Sequence, residues 1–449
     1  MRGSTLQHIS RVVVVLLSSV LSLPIALAQD AVRLGELESP VDRQALKAQE
    51  TAGRDRLKIL LENPVGTDIQ LLRVNPDVVN EATDKLSVPV ADGRWVSFQL
   101  RNYTAPTSPG NKGVENAAVK HIPAAYWFGD ISPDDKGRAP AVPQSAFDTT
   151  SFIFLARRGE SLRGQMVVNG RLYLLEDVGN GQHGLMATNT ALELPCEVLE
   201  NEPEAQQNAA KKVPVKSGTE AIHNISVLLV TTPATNQMIN PYAMDIMTDE
   251  IELYNRLNNQ GQGLSLNLIV VHKFVSGAKD SVFNGGKKIL SDFRNSETEA
   301  TKKVSELRDK HRADVVIVGA RNVSSKEVTY QGARKNTAFF VFNITTPQSF
   351  LHGIGHLLGV RHVWKDGDLD FDPSYQHGYL TPVYEGKRYA SIGFDPKDCT
   401  DANNCQYLYR YSTPKENYMY WPFGDAVHGD EIRRLNERAV EVENFYEGL

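Results

Sequence analysis

The sequence predicts a two-part chain, a β-rich N-terminal region followed by an α/β domain built on a twisted, mixed sheet. Three observations carry that expectation. Strand-like runs, two of them joined by a strong hairpin turn, fill the stretch before residue 199. A polar segment almost without large apolar residues follows at 200–220. Beyond it, apolar strand-like runs alternate with amphipathic helical ones. The composition is that of a globular chain, with 449 residues, 41% hydrophobic and 23% charged, which excludes collagen-like, coiled-coil and wholly disordered classes. A formal net charge of −6 provides no basic excess for a nucleic-acid partner.

In chain order, residues 1–28 read as a secretory signal peptide. Arg2 and Arg11 flank the start, 12–23 is mostly apolar, and Ala26-Leu27-Ala28 is a small-x-small cleavage site. The expected product is exported, secreted or periplasmic, with no membrane partner after cleavage. Residues 29–199 form the β-rich region. It has an amphipathic start, a strand at 95–100, a Pro-, Gly- and Asp-rich connection at 106–143, and strands at 151–155, 162–168 and 171–175. Asn169-Gly170 between the last two is a hairpin turn signal. Residues 200–220, with Lys211-Lys212, read as an exposed linker. The domain at 221–449 opens with a buried strand at 225–230 and a helix at 241–257 bearing Met244, Met247, Ile251, Tyr254 and Leu257. A strand at 264–274, a helix at 301–311 and strands at 314–318 and 338–342 follow. Ile432, Leu435, Ala439, Val442 and Phe445 mark a closing amphipathic helix.

The chemistry concentrates in residues 349–362, Ser-Phe-Leu-His-Gly-Ile-Gly-His-Leu-Leu-Gly-Val-Arg-His. On a helix, His352 and His356 stand at i and i+4 and project from one face. Gly359 can adopt positive φ and turn the chain, so that His362 swings back toward them. Three converging imidazoles are a Zn²⁺ donor set with a fourth position open. Leu351, Ile354, Leu357 and Leu358 supply the helix with a core face. Of the three cysteines, Cys399 and Cys405 are close enough to close a small disulfide loop in an oxidising compartment, which leaves Cys196 unpaired.

The pattern His-x3-His-x2-Gly-x2-His resembles the zinc signature of the metzincin metalloproteases, His-Glu-x-x-His-x-x-Gly-x-x-His followed later by a methionine turn. Residues 416–422, Glu-Asn-Tyr-Met-Tyr-Trp-Pro, are similar to that turn and imply Met419 as an apolar floor beneath the metal. The order of elements from Ile225 onward resembles the reprolysin (adamalysin) branch, and 161–164, 173–176 and 183–185 are similar to reprolysin propeptides. The resemblance implies one zinc on His352, His356 and His362, a protein or peptide in the zinc cleft, and the chain's own propeptide-like domain as a partner. From latent members it also implies Cys196 as the thiolate of a cysteine switch. Three departures stand out. The family's catalytic Glu is Gly353, which has no side chain to take a proton from the attacking water, a role worth ~10²–10⁴-fold. Val363 follows His362 where reprolysins place Asp, and a long insertion holding Cys399 and Cys405 precedes Met419. The expected function is therefore a pseudoprotease with activity impaired or lost. The alternatives are an active endopeptidase with Glu416, Asp366 or Asp368 as substitute base, and a zinc-stabilised binding or adhesion module closed by Cys196.

Overall fold

Alternation of inward and outward side chains organises the N-terminal half. The computed structural model describes residues 31–38, 44, 46, 55–90, 93–106, 123–132, 147–189, 192–201, 222–238, 242–260, 263–283, 286–321, 325–347, 349–368, 371–399 and 405–446. The leader expected at 1–28 and nearly all of the linker expected at 200–220 lie outside the described residues. Among the described residues, ten strands from Val32–Arg33 to Gln182–Thr188 form one sheet. Phe152–Arg158, Ser161–Val168, Arg171–Gly179 and Gln182–Thr188 pair in antiparallel succession. Asn169 and Gly170 turn between two of them with φ of 50° and 78°, the backbone that a tight two-residue hairpin needs.

Both ends of this sheet meet one piece of chain. Val32–Arg33 pairs parallel with Lys85–Pro89, and Gly35–Leu37 pairs antiparallel with Gly66–Val74, with Leu34 between them. The sheet is thereby closed in a barrel-like way. Side chains alternate along each strand. Ile153, Leu155, Phe98 and Trp127 fill one cluster with Leu34. Phe152, Phe154, Phe128 and Leu174 turn the other way and join the core of the C-terminal half. One strand corrects the sequence reading. Ala125–Ile131 lies inside 106–143, where a connection was expected. Its turn-forming neighbours hide the strand, but Trp127 is fully buried and its indole N–H donates to the Thr83 carbonyl at 2.9 Å.

The second sheet has strands β1 (Glu197–Leu199), β2 (His223–Thr231), β3 (Leu266–Val275), β4 (Val315–Ala320), β5 (Glu327–Tyr330) and β6 (Phe339–Asn343). Their order is β1-β5-β6-β4-β2-β3, and every neighbouring pair is parallel except β5 with β6. Ile225, Val227, Leu228, Leu229 and Val230 are all buried, as in a strand covered on both faces. Four helices matter below: α1 (Tyr242–Asn258), α2 (Glu299–His311), α3 (Ser349–Leu357) and α4 (Glu431–Val442). The architecture is thus mixed α/β and rich in sheet.

Residues 31–449 form one compact unit. Besides the shared apolar cluster, the halves meet at a buried ion network on α1. Arg158 Nη1 and Arg163 Nη1 reach Asp249 Oδ2 at 2.9 and 3.0 Å, and the Tyr126 hydroxyl donates to Asp249 Oδ1 at 3.1 Å. Gln165 donates to Glu250 Oε1 at 2.7 Å. The two guanidiniums hold Asp249 below the usual carboxylate range against the opposing effect of burial. Burial pushes Glu250 up to about 8.

Candidate metal centre

Every residue of α3 is buried, so the helix is fixed on all sides and its histidines have little freedom. After the last turn, the Gly359 N–H donates to the His356 carbonyl at 2.9 Å and the Val360 N–H to Gly355 at 2.8 Å. Gly359 sits at φ 96°, which a side chain would strain, and a Cβ there would meet Arg434 Nε at 2.7 Å. The turn brings His362 back to the helix. The three Nε2 atoms stand 2.8 Å (His352–His356), 3.1 Å (His356–His362) and 3.3 Å (His352–His362) apart. Cys196, immediately before β1, places its Sγ 3.0 Å from His362 Nε2 and 3.8 Å from His356 Nε2.

The hydrogen bonds on the far side of the rings say what belongs in the middle. His352 Nδ1–H donates to the Ile392 carbonyl and His356 Nδ1–H to the Val360 carbonyl, each at 2.7 Å. With Nδ1 carrying the proton, each neutral ring turns an Nε2 lone pair inward. Burial holds both imidazoles well below the usual histidine range, with Lys326 and the neighbouring rings adding to the shift. Burial also pushes His362 down to about 4, against the pull of Asp395. Neutral lone pairs facing one another at these distances repel unless a cation lies between them. A four-coordinate ion with ~2.0–2.1 Å bonds to nitrogen would hold its ligand nitrogens roughly 3.3 Å apart. Three imidazoles and a thiol, with all donor atoms within 4.8 Å of one another, fit such an ion. Burial pushes the free Cys196 thiol well up, and a bound cation reverses that by stabilising the thiolate.

Position 353 lacks a side chain and is closed to one. A Cβ built on Gly353 would lie 2.2 Å from Phe340 Cε2 and 2.4 Å from its Cζ, so a ring carried by β6 fills the place a side chain would take. Two carboxylates that the sequence did not single out approach the imidazoles. Glu327 Oε1 on β5 is 3.6 Å from His352 Nε2, and Asp395 Oδ2 is 3.7 Å from His362 Nε2. Burial pushes Glu327 up to about 8, with Lys326 opposing. Lys326 Nζ is buried beside them and ion-pairs with Glu193 Oε2 at 2.9 Å. Of the bases nominated from sequence, Asp368 lines the cavity that opens beside His356 and His362. Glu416 pairs with Arg410, while Asp366 and Asp368 are exposed beyond His362.

The expected floor also differs. Met419, in the turn between Thr413–Tyr418 and Trp421–Phe423, packs with Tyr389, Leu408 and Phe423 in a cluster separate from α3. The side chain against the helix is Tyr411, whose hydroxyl donates to the Leu351 carbonyl at 2.8 Å and whose ring edge would lie 3.4 Å from a Cβ on Gly355. Cys399 and Cys405 are disulfide-bonded. Along the cleft, β1 pairs parallel with β5, Glu197 opposite Val328 and Leu199 opposite Tyr330. Glu200 forms a two-point ion pair with Arg361, at 2.6 and 2.8 Å. A cavity of about 410 Å³ opens beside the imidazoles, lined by His356, Arg361, His362, Phe371 and Val198 among others.

No family model matches the chain. It is similar to a peptidyl-Asp metalloendopeptidase of Stenotrophomonas maltophilia strain R551-3, 26% identical over 452 aligned residues that cover 95% of this chain and 97% of the relative. The enzyme of that name from strain K279a is 25% identical over 447 residues, with the same two coverages of 95% and 97%. Among solved structures, metalloproteinase-II from Bacteroides fragilis aligns at 9% identity with a TM-score of 0.35, covering 64% of this chain and 84% of its own. The likeness to metalloendopeptidases therefore runs along nearly the whole chain, through both the barrel and the histidine centre.

Proposed function

We propose that this chain is an exported zinc metalloendopeptidase of metzincin type, folded in a latent form in which its own N-terminal half covers the metal. The observation that carries the reading is the convergence of three imidazole Nε2 atoms and the Cys196 Sγ on one point. His352, His356 and His362 would hold the zinc, and Cys196 would occupy the position that a substrate or water takes in an open centre. The metal, when bound, polarises a peptide carbonyl and the attacking water. The chain's own residues do the rest. Residues 193–201 lie where a peptide would run, and the edge strand β5 offers main-chain partners for it. The relatives' name supports an acidic side chain as the recognised group. Lys326, an ammonium whose present partner is Glu193, is suited to receive one.

A second reading, a pseudopeptidase that binds peptides without cutting them, is favoured by the Phe340 ring in the place of the motif's carboxylate. Metal analysis tests what both readings share. The full-length chain, stripped with chelator and reloaded, is expected to hold one zinc, and His356→Ala to hold almost none. Cobalt in place of zinc should give a thiolate charge-transfer band that Cys196→Ser abolishes. A stoichiometry far below one in the unaltered chain would overturn the reading.

A further inference from the structure

We propose that Glu327 is the catalytic carboxylate of this centre, delivered from the edge strand β5 in place of the one α3 lacks. The proposal rests on the zinc assignment above and goes beyond it. Glycine at 353 alone would suggest a lost function. The geometry points instead to a carboxylate that has changed its point of attachment. The helix cannot carry the group, because the Phe340 ring stands 2.2 Å from where a Cβ at 353 would be. That ring comes from β6, and β5 is the strand paired with it, with Glu327 opposite Phe342. From β5 the Glu327 side chain reaches the same centre, with Oε1 3.6 Å from His352 Nε2, the nitrogen whose lone pair faces the metal position.

Glu327 is fully buried, and neither of its oxygens accepts a hydrogen bond of ordinary geometry among the described residues, the Ser349 hydroxyl being the neutral donor nearest to it. Buried carboxylates are nearly always paired, because an unpaired one forfeits hydration without return. Its nearest cation, the Lys326 ammonium, is 4.0 Å away and bound more closely to Glu193. Asp395, the other carboxylate near the rings, is already committed. It accepts from the Lys397 N–H at 3.1 Å, pairs with Lys397 Nζ at 2.9 Å, and caps the short turn that follows. An acceptor left open beside the reacting centre is what proton transfer requires. In hydrolysis, the water oxygen bonds to the peptide carbonyl carbon as its proton passes to a Glu327 oxygen. Glu327 then gives that proton to the amide nitrogen as the C–N bond breaks, and ends as it began.

The test uses the full-length chain with Cys196→Ser to remove the thiol, nicked by an added protease in the polar segment before residue 222 and reloaded with zinc. Peptide cleavage and zinc content are measured in this parent and in its Glu327→Gln and Glu327→Asp derivatives. The expected result for Glu327→Gln is a fall in kcat of at least ~10²-fold, with KM changed by less than about threefold and zinc still near one per chain. Glu327→Asp, which keeps a carboxylate, should retain at least about tenfold more activity than the Gln variant. Glu327→Gln with activity within about threefold of the parent overturns the proposal. So does a zinc-loaded parent that cuts nothing. Loss of zinc in the Gln variant would make Glu327 a support for His352 and overturn the catalytic role. A parent that binds no zinc removes the centre itself, an outcome that elemental analysis reads separately from any failure at Glu327.

Discussion

The molecule buries two dense polar clusters, and they are opposites. On α1, Asp249 receives two guanidiniums from the barrel, Glu250 receives Gln165, and each guanidinium lies against at least one carboxylate. On α3 and the turn after it, three uncharged imidazoles bring their Nε2 atoms together, with a thiol in the same place. The first cluster matches its guanidiniums with carboxylates from the chain alone. The second becomes favourable only when a cation supplies the missing charge. Buried polar groups persist where they are satisfied, so the α1 cluster ties two halves together while the α3 cluster is a socket.

The sharpest test of this contrast is to break the α1 cluster and leave the socket alone. Asp249→Ala leaves two buried guanidiniums without their shared partner and should cost about 3–5 kcal/mol of stability, read by denaturant unfolding. Zinc per folded chain should stay at one. Metal loss in parallel would show that the clusters are not independent.

A smaller effect is expected at Gly353. Gly353→Glu forces a side chain against the Phe340 ring and should destabilise the chain by about 1–3 kcal/mol. Restoring the motif's letter should raise no activity by itself, because the ring holds the space. A gain of activity in that variant would show that Phe340 yields and that the helix can still carry the base.

The smallest effect is in pH, where the imidazoles and Glu250 should respond with opposite sign. The imidazoles of the centre have depressed folded values, His362 at about 4, so the unfolded histidines take up protons first. In metal-free protein their contribution is present above about pH 6.5 and is lost as pH falls toward 4. Glu250 is raised from 4.5 to about 8, so its contribution is complete below 4.5 and is lost as pH rises through 8. Unfolding curves across pH should show both limbs, and Glu250→Gln should shrink the alkaline one, to which Glu327 also contributes, and leave the acid one.

What was legible in the sequence is local. The spacing of His352, His356 and His362 around Gly359 depends on a single helix and turn, and the structure brings all three together. The alternating strands from 151 onward and the Asn169-Gly170 hairpin were equally plain, since neighbouring residues make them. Cys196 stood out only as an odd cysteine, because its approach to the histidines depends on β1 pairing with a strand far along the chain. Glu327 gave no signal at all. A lone Glu between Lys326 and Val328 looks like any strand residue until β5 is set against α3. Met419 was misplaced because a Met between tyrosines fits a turn motif as a string, whereas the packing under α3 is done by Tyr411. The strand at Ala125–Ile131 was lost among Pro, Gly and Asp neighbours that normally mark connections.

The stretch from Cys196 to Asn201 has a consequence for how the cleft opens. Its thiol lies at the imidazoles, and Glu197–Leu199 pair with β5. Glu200 grips Arg361, and the Asn201 amide donates to the carbonyls of Gln331 and Gly332 at 2.8 and 3.0 Å. Each attachment is weak alone, but all are tethered to one another at adjacent residues. A contact that breaks faces its partner at an effective concentration in the ~millimolar range while the others hold, and it re-forms faster than the strand can leave. The stretch therefore behaves as a multivalent ligand of its own protein, and its release is cooperative. A reagent that captures the thiol leaves the strand seated. Opening waits on an event that frees the whole run at once, such as cleavage in the polar segment that follows it combined with loss of the thiol contact, so the proposed latent state should be lost in a single step and not by gradual leakage.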